Sequence, residues 1–318
     1  MDKLVERETA TRGPLVAAPA LAVQFFLIPL VVVGATVLVY VGFRSMVTSE
    51  RTAEDYLNEI RSGGMARQWP AAFELSQLMD RAEVRRDPSV AAALVKAFDG
   101  AQDGDPRVRK YLALAIGRLD PPLPHDAIAM LLKSLEQSDR PDQAWTPDVW
   151  ARINGWTEPM NEARISVIWA LGASGDASVV PRLQPLFQSP DAGIRKMVVY
   201  ALGALPGENQ IATLRTALQD EAADVRWNAA VALARHGNGE GIGVLQQMLD
   251  RAYVEQTVKR AARPDEDADP VADVMISGLR AAATLKDGTL RTTVTELSRT
   301  DRSLKVRQAA LEALRVMG

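Results

Sequence analysis

Residues 191–203 read Asp-Ala-Gly-Ile-Arg-Lys-Met-Val-Val-Tyr-Ala-Leu-Gly, and the same beat returns 31 residues to either side. Arg164, Arg195 and Arg226 stand in step, as do Ala170, Ala201 and Ala232, then Leu171, Leu202 and Leu233. A second set keeps the same spacing: Val180, Ile211 and Ile242, with Leu183, Leu214 and Leu245. Self-similarity at this period marks a stacked array, in which one unit cannot bury its apolar face alone and its neighbours cover it.

Each unit reads as two helices. In the first, apolar residues fall at −1, +3, +6 and +7 from the arginine, as in Ile194, Val198, Ala201 and Leu202, which is one stripe at helical period. Alanine on that stripe lets neighbouring helices come close, and Gly172, Gly203 and Gly207 are expected to turn the chain at or just after helix ends. The second helix carries Val179, Val180, Leu183, Leu186 and Phe187 and their counterparts.

The pattern Asp-x-x-Val/Ile-Arg followed by Ala-Leu-Gly, seen in Asp191 to Arg195 and Ala201 to Gly203, resembles HEAT repeats, in particular the short HEAT-like repeats named after phycobilisome lyases. The resemblance covers about residues 65–318. It implies an all-α, right-handed α-solenoid of helical hairpins with a binding or scaffolding role. It names no ligand, and the lyase activity does not come with it.

Outward from the repeats, residues 65–98 form a degenerate first unit with Trp69, Phe73, Leu75 and Leu78 as packing residues. Asp105-Pro106 caps and starts the next helix, whose stripe is Leu112, Ala115, Ile116 and Leu119. Arg109 to Arg164 exceeds one period by 24 residues, and the surplus falls at about 137–160. Trp145, Trp150 and Trp156 all lie there beside Pro141, Pro147 and Pro159, either folded onto the array or forming a contact site. A second insertion, about 250–270, separates Arg226 from a pattern near Gly278 with Val274 and Leu285 on its stripe. Asp301 to Val316 closes the array with a polar outer face.

At the amino end, residues 1–20 are a tail, and no charge occurs between Gly13 and Phe43. The run Leu21–Phe43 is long enough, at about 1.5 Å per residue, to span the ~30 Å hydrocarbon layer. It predicts a transmembrane helix, kinked at Pro29, rather than a cleaved signal, because the apolar run is too long and no small-x-small site follows. A juxtamembrane helix and linker, residues 44–64, precedes the repeats. Basic residues are balanced across the span, with Lys3, Arg7 and Arg12 before it and Arg44, Arg51 and Arg61 after it. A short amino-terminal tail is most often left inside, so the repeats are expected on the non-cytoplasmic side of a cell inner membrane.

The chain has 318 residues, 47% of them hydrophobic, and a formal charge of −3, so no global basic field recruits nucleic acid. It has no cysteine, which removes disulfides, thiolate metal sites and cysteine nucleophiles. Its two histidines, His125 and His236, are far apart and in no metal-ligand spacing. No phosphate loop or nucleophile elbow occurs. Gly237 to Gly243 is glycine-rich but reads as the turn between two helices, and Asp265 to Asp269 departs from a calcium loop because Pro270 stands where glycine is needed. Arg81, Arg85 and Arg86 read as a solvated turn.

No catalytic, cofactor-binding or metal-binding residue is assigned. The candidate partner-binding residues lie away from the stripe. At +5 from the arginine the units carry Leu114, Trp169, Tyr200 and Val231, and Trp227 stands at +1. In HEAT-like arrays this helix usually lines the concave side, so Trp169, Tyr200 and Trp227 form either an aromatic strip for a partner or gap-fillers between helices. The expected role is a membrane-tethered scaffold for a protein partner, a membrane complex. The alternatives are a lyase-like factor holding a tetrapyrrole or other apolar ligand in the groove, and a purely structural spacer.

Overall fold

The computed structural model describes residues 28–47, 51–138, 159–259 and 269–318. Every regular element in them is helical. Contacts divide the chain into two units, residues 1–52 and residues 53–318. The first holds one described helix, α1 (Ile28–Val47), whose side chains Leu30 to Tyr40 are exposed. It covers the later part of the expected span Leu21–Phe43; residues 21–27 lie outside the described residues. Among the described residues no helix is long and apolar enough to cross a membrane, so that span is not shown. Helix α1 continues past Phe43 to Val47, and Pro29, where a kink was expected, is its second described residue.

The second unit begins with α2 (Ala53–Ser62), α3 (Met65–Leu78), the short α4 (Ala82–Arg85) and α5 (Pro88–Gly100). Ala53, Leu57 and Ile60 are buried, and α2 packs on α3 and α5, so the repeat core starts before residue 65. There follow α6 (Pro106–Gly117), α7 (His125–Ser138), α8 (Pro159–Ala173) and a broken helix centred on α9 (Val180–Leu183) with 3-10 turns on both sides. Then come α10 (Ala192–Ala204), α11 (Ile211–Ala217), α12 (Ala223–Arg235), α13 (Ile242–Leu249) and α14 (Arg251–Lys259). The chain closes with α15 (Pro270–Leu285), α16 (Gly288–Thr300) and α17 (Leu304–Met317).

Helices α3, α6, α8, α10, α12, α15 and α17 pack one on the next in a row, and the intervening helices form the second layer behind them. This is the helical-hairpin array that the 31-residue period demands. Val198, Ala201 and Leu202 are wholly buried, as are Val225, Ala229 and Leu233 one unit later. In α15 the buried stripe is Ala272, Met275, Leu279 and Ala282. Val274 and Leu285, expected on it, are only half-buried, because the stripe is set by spacing from the array's neighbours and not by which residue is most apolar.

Glycine does something other than expected. Gly172 and Gly203 lie inside α8 and α10, not at turns. A Cβ on Gly172 would stand 2.7 Å from Ala201 Cα, and one on Gly203 would stand 2.9 Å from Ala232 Cα. Gly117 meets Ala170 of the next helix in the same way, at 2.8 Å. Helices α6, α8 and α10 thus set the +8 glycine of one unit against the +6 alanine of the next. Gly207 does turn the chain, with φ 98°.

The repeat arginine has a defined task. Arg195 Nη1 donates to the carbonyls of Ser189 and Pro190 (3.0 and 3.1 Å), and Arg226 Nη1 to those of Asp220 and Glu221 (2.7 and 3.0 Å). Arg307 Nη1 reaches Asp301 O at 2.5 Å. Each guanidinium folds back onto the loop before its own helix and satisfies carbonyls that no helix ladder serves. The loop is also clamped from the previous unit: Arg195 Nε and Nη2 hold both Asp220 oxygens at 2.8 and 2.9 Å. Helix α15 has Ile276 at the arginine position, and Arg251 of the inserted α14 supplies the missing clamp, holding Asp301 at 2.8 and 2.6 Å.

Burial pushes the Asp220 carboxyl up, but hydrogen bonds from Arg195 and Ala222 N and the charges of Arg195 and Arg226 outweigh it, leaving the group below the usual carboxylate range. Asp301 is lowered by the same balance, with Arg251 as the cation.

Two outcomes follow from this packing. Gly203→Ala gains at most about 1 kcal/mol of helix propensity but overpacks against Ala232, so urea unfolding should show a net loss of about 1–3 kcal/mol. Gly243→Ala, with open space at its Cβ, should be neutral or stabilising. Asp220→Asn should cost most at pH 5–7. Because the folded-state value of Asp220 is depressed, its contribution is present above the unfolded carboxylate value of about 3.9 and is lost as pH falls through the folded one. The stability gap between wild type and variant should therefore close below about pH 4.

Candidate docking cleft

On the outer face of the first layer, α10, α12 and α15 enclose a cleft of about 310 Å³. Helix α12 supplies its floor through Asp224, Asn228, Val231 and Arg235, spaced as one helical stripe, with Trp227 beside them. Lys196 and Tyr200 of α10 form one wall, and Asp273, Val274 and Ser277 of α15 the other. Each wall pair is one turn apart, so the helical period that buries the stripe also lines up this outer face.

The cleft is apolar in the middle and charged at its ends. Lys196 Nζ pairs with Asp224 Oδ2 at 3.2 Å, both about half exposed. At the other end the Arg235 guanidinium lies over the Tyr200 ring, 5.6 Å from its centroid. Trp227 is only 7% exposed, and its indole Nε1 is buried with no acceptor in reach among the described residues. Among those residues there is also no group of three or more histidine or acidic side chains that could hold a metal.

The +5 residues Leu114, Trp169, Tyr200 and Val231 are all half-buried, hence in one register on one face. The structure brings Tyr200 and Trp227 together in the cleft but assigns Trp169 elsewhere: its ring packs on the backbone of Gly117, where a Cβ would stand 2.5 Å from Cζ3. Trp145, Trp150 and Trp156 lie outside the described residues. Arg235, Lys196 and Asp273 were not singled out from the sequence; their i, i+4 and i, i+11 relation to Tyr200, Ser277 and Asp224 was the signal available. A further aromatic pair, Phe73 and Tyr111, meets edge to face at 5.2 Å on α3 and α6. Arg107 covers Trp69 nearby, 4.9 Å from the ring centroid.

The remaining sequence features take structural roles. His236 caps α12, with Nε2 3.3 Å from Gln210 Nε2. Gly239–Gly241 is a 3-10 turn whose start is capped by Asn238, and Gly241 sits against Ala230. Arg85 and Arg86 both bind Asp120, at 3.2 and 2.8 Å. Of the acidic run 265–269 only Asp269 is described, as the cap of α15.

Alanine substitution separates packing from surface here. Trp227→Ala should cost about 3–5 kcal/mol in urea unfolding. Tyr200→Ala, which removes a half-buried ring, should cost about 1 kcal/mol or less and leave the melting temperature within a few degrees.

Of the comparisons with known proteins, the family match agrees with the helical array. No curated protein sequence matches the chain. A solved structure of human deoxyhypusine hydroxylase in complex with glycerol aligns over 86% of this chain and 98% of its own, at 20% identity and a TM-score of 0.34. Residues 153–234, about a quarter of the chain, match the family described as HEAT repeats, and that match supports a HEAT-repeat protein.

Proposed function

We propose that this chain is a membrane-tethered scaffold without catalytic activity of its own, which offers the α10–α12–α15 cleft to a protein partner in a membrane complex. The cleft carries the reading: an aromatic and aliphatic centre, Tyr200, Trp227, Val231 and Val274, rimmed by charge, has the make-up of a binding hot spot. Its volume of about 310 Å³ stands at the lower end of small-molecule sites, which run to about 1,000 Å³. That suits the anchor side chains of a peptide better than a tetrapyrrole.

Tethering rests on the uncharged run Gly13–Phe43 and on α1, where Leu30, Leu38 and Val39 are more than two-thirds exposed and have no protein surface to cover them among the described residues. The amino-terminal tail stays in the cytoplasm and the repeats face the other side of the inner membrane. An alkaline phosphatase fusion at Gly318 tests this: activity is expected, and an inactive fusion that becomes active when moved to the tail would reverse the orientation.

The scaffold itself is tested in intact membranes with a photo-crosslinking residue at Asn228. A discrete adduct should form with the parent chain and vanish with Val231→Glu, whose melting temperature should be nearly unchanged. An adduct that persists in that variant, or none at all from the cleft, would sink the docking assignment.

A further inference from the structure

The direction of the three cleft helices can be fixed from contacts. Lys196 near the start of α10 pairs with Asp224 at the start of α12, and late in both helices Gly203 abuts Ala232 and Arg235 covers Tyr200. Helices α10 and α12 are therefore parallel. Helix α14 begins beside the start of α12, where Tyr253 Oη meets Arg226, and its Arg251 clamps Asp301 at the start of α17. Two short turns separate α17 from α15, each reversing the chain, so α15 runs in the same sense.

The cleft consequently has an acidic end and a basic end. At the amino-terminal edge Asp224 is matched by Lys196, while exposed Asp273 has no cation partner among the described residues; one negative charge is left over. At the carboxyl-terminal edge exposed Arg235 has no carboxylate partner among them; one positive charge is left over. Stacked on Tyr200, the Arg235 guanidinium keeps its edge N–H groups for an incoming carboxylate. Asp224 and Arg235 are eleven residues apart, about 16 Å along the helix.

We propose that the partner element is an amphipathic helix lying antiparallel to α10, α12 and α15, with Glu or Asp in its first turn beside Arg235. A Lys or Arg about eleven residues on stands beside Asp273, and apolar residues between them enter the cleft. This rests on the cleft being the docking surface. Charge complementarity selects the direction: helices carry acids at their amino ends and bases at their carboxyl ends to suit their own dipoles. Only the antiparallel helix brings those ends to charges of opposite sign. A parallel one sets base against Arg235 and acid against Asp273, and rim charges of like sign reject a partner.

Two labelled 16-residue peptides test it, of identical apolar residues at helical spacing. One has Glu in the first turn, Lys eleven residues on and a photo-crosslinking group at its amino end; the other has Gln in place of both charges. Binding to the full chain in detergent is read by fluorescence anisotropy at low and high salt. The first peptide should bind about tenfold more tightly at low salt, with the preference shrinking at high salt, and its amino end should crosslink beside Arg235 and not beside Asp273. Equal affinities, or an amino end that crosslinks beside Asp273, would overturn the proposed direction. If neither peptide binds while the Asn228 adduct forms, the helix assignment fails and the scaffold stands; if the adduct is also missing, the scaffold reading fails with it.

Discussion

The spacing of the first-layer helices is held by contacts between backbone and methyl group: Gly117 on Ala170, Gly172 on Ala201, Gly203 on Ala232. Helices packed on large side chains stand about 8–10 Å apart, and small residues permit the lower end of that range. Everything else in the unit is built to this separation. The guanidinium of Arg195 reaches both oxygens of Asp220 in the following loop, with the two side chains 9% and 6% exposed, because adjacent helices are this close.

The arginine clamp also explains how the array survives losing its period. Where the insertion falls between α12 and α15, Ile276 occupies the arginine position and Asp301 would be a buried carboxylate without a cation. Stranding such a charge costs several kcal/mol. Helix α14 removes that cost by delivering Arg251, which is itself steadied by Glu255 at 3.6 Å. The insertion is thus a replacement part as well as an interruption, and Asp301 keeps the same bidentate geometry as Asp220.

Much of this was legible in the chain. The stripe residues, the cap Asp105 and the period itself follow from local chemistry, because a helix buries whatever recurs every three or four residues. The role of Gly172 and Gly203 was not legible, since a glycine near a helix end reads equally as a turn or a close contact until the neighbouring helix is known. The stripe of α15 was misplaced for the same reason: Val274 is more apolar than Ala272, yet Ala272 faces the array. The +5 residues share a face as their spacing requires, but which aromatic packs and which lines a cleft depends on partners one unit away. The Trp169 ring lies on Gly117, whereas the atoms nearest Gly172 are those of Ala201 and not of Tyr200. Arg235 and Asp273 stand on different helices, and their opposition across the cleft exists only after stacking.

The +1 position bears most directly on whether the outer face is more than a solvated surface. It is occupied by Lys110, Ile165 and Lys196 in three units and by Trp227 in the fourth, so stacking alone does not ask for an aromatic there. Trp227 instead brings a cost, since its Nε1 is buried without an acceptor among the described residues, and an unmade hydrogen bond of this kind is worth about 1–3 kcal/mol. Gln102 Oε1 and Gln210 Oε1 are likewise buried without a partner among the described residues, whereas the loop carbonyls are held by Arg195, Arg226 and Arg307. An aromatic that stacking does not ask for, at the centre of the cleft, is where a requirement other than folding is expected to show. The same unit places exposed Arg235 on Tyr200 without a carboxylate partner among the described residues, so an unpaired charge and a buried indole N–H flank one apolar floor. On the proposed scaffold reading, that convergence of groups is what a surface for a second chain requires.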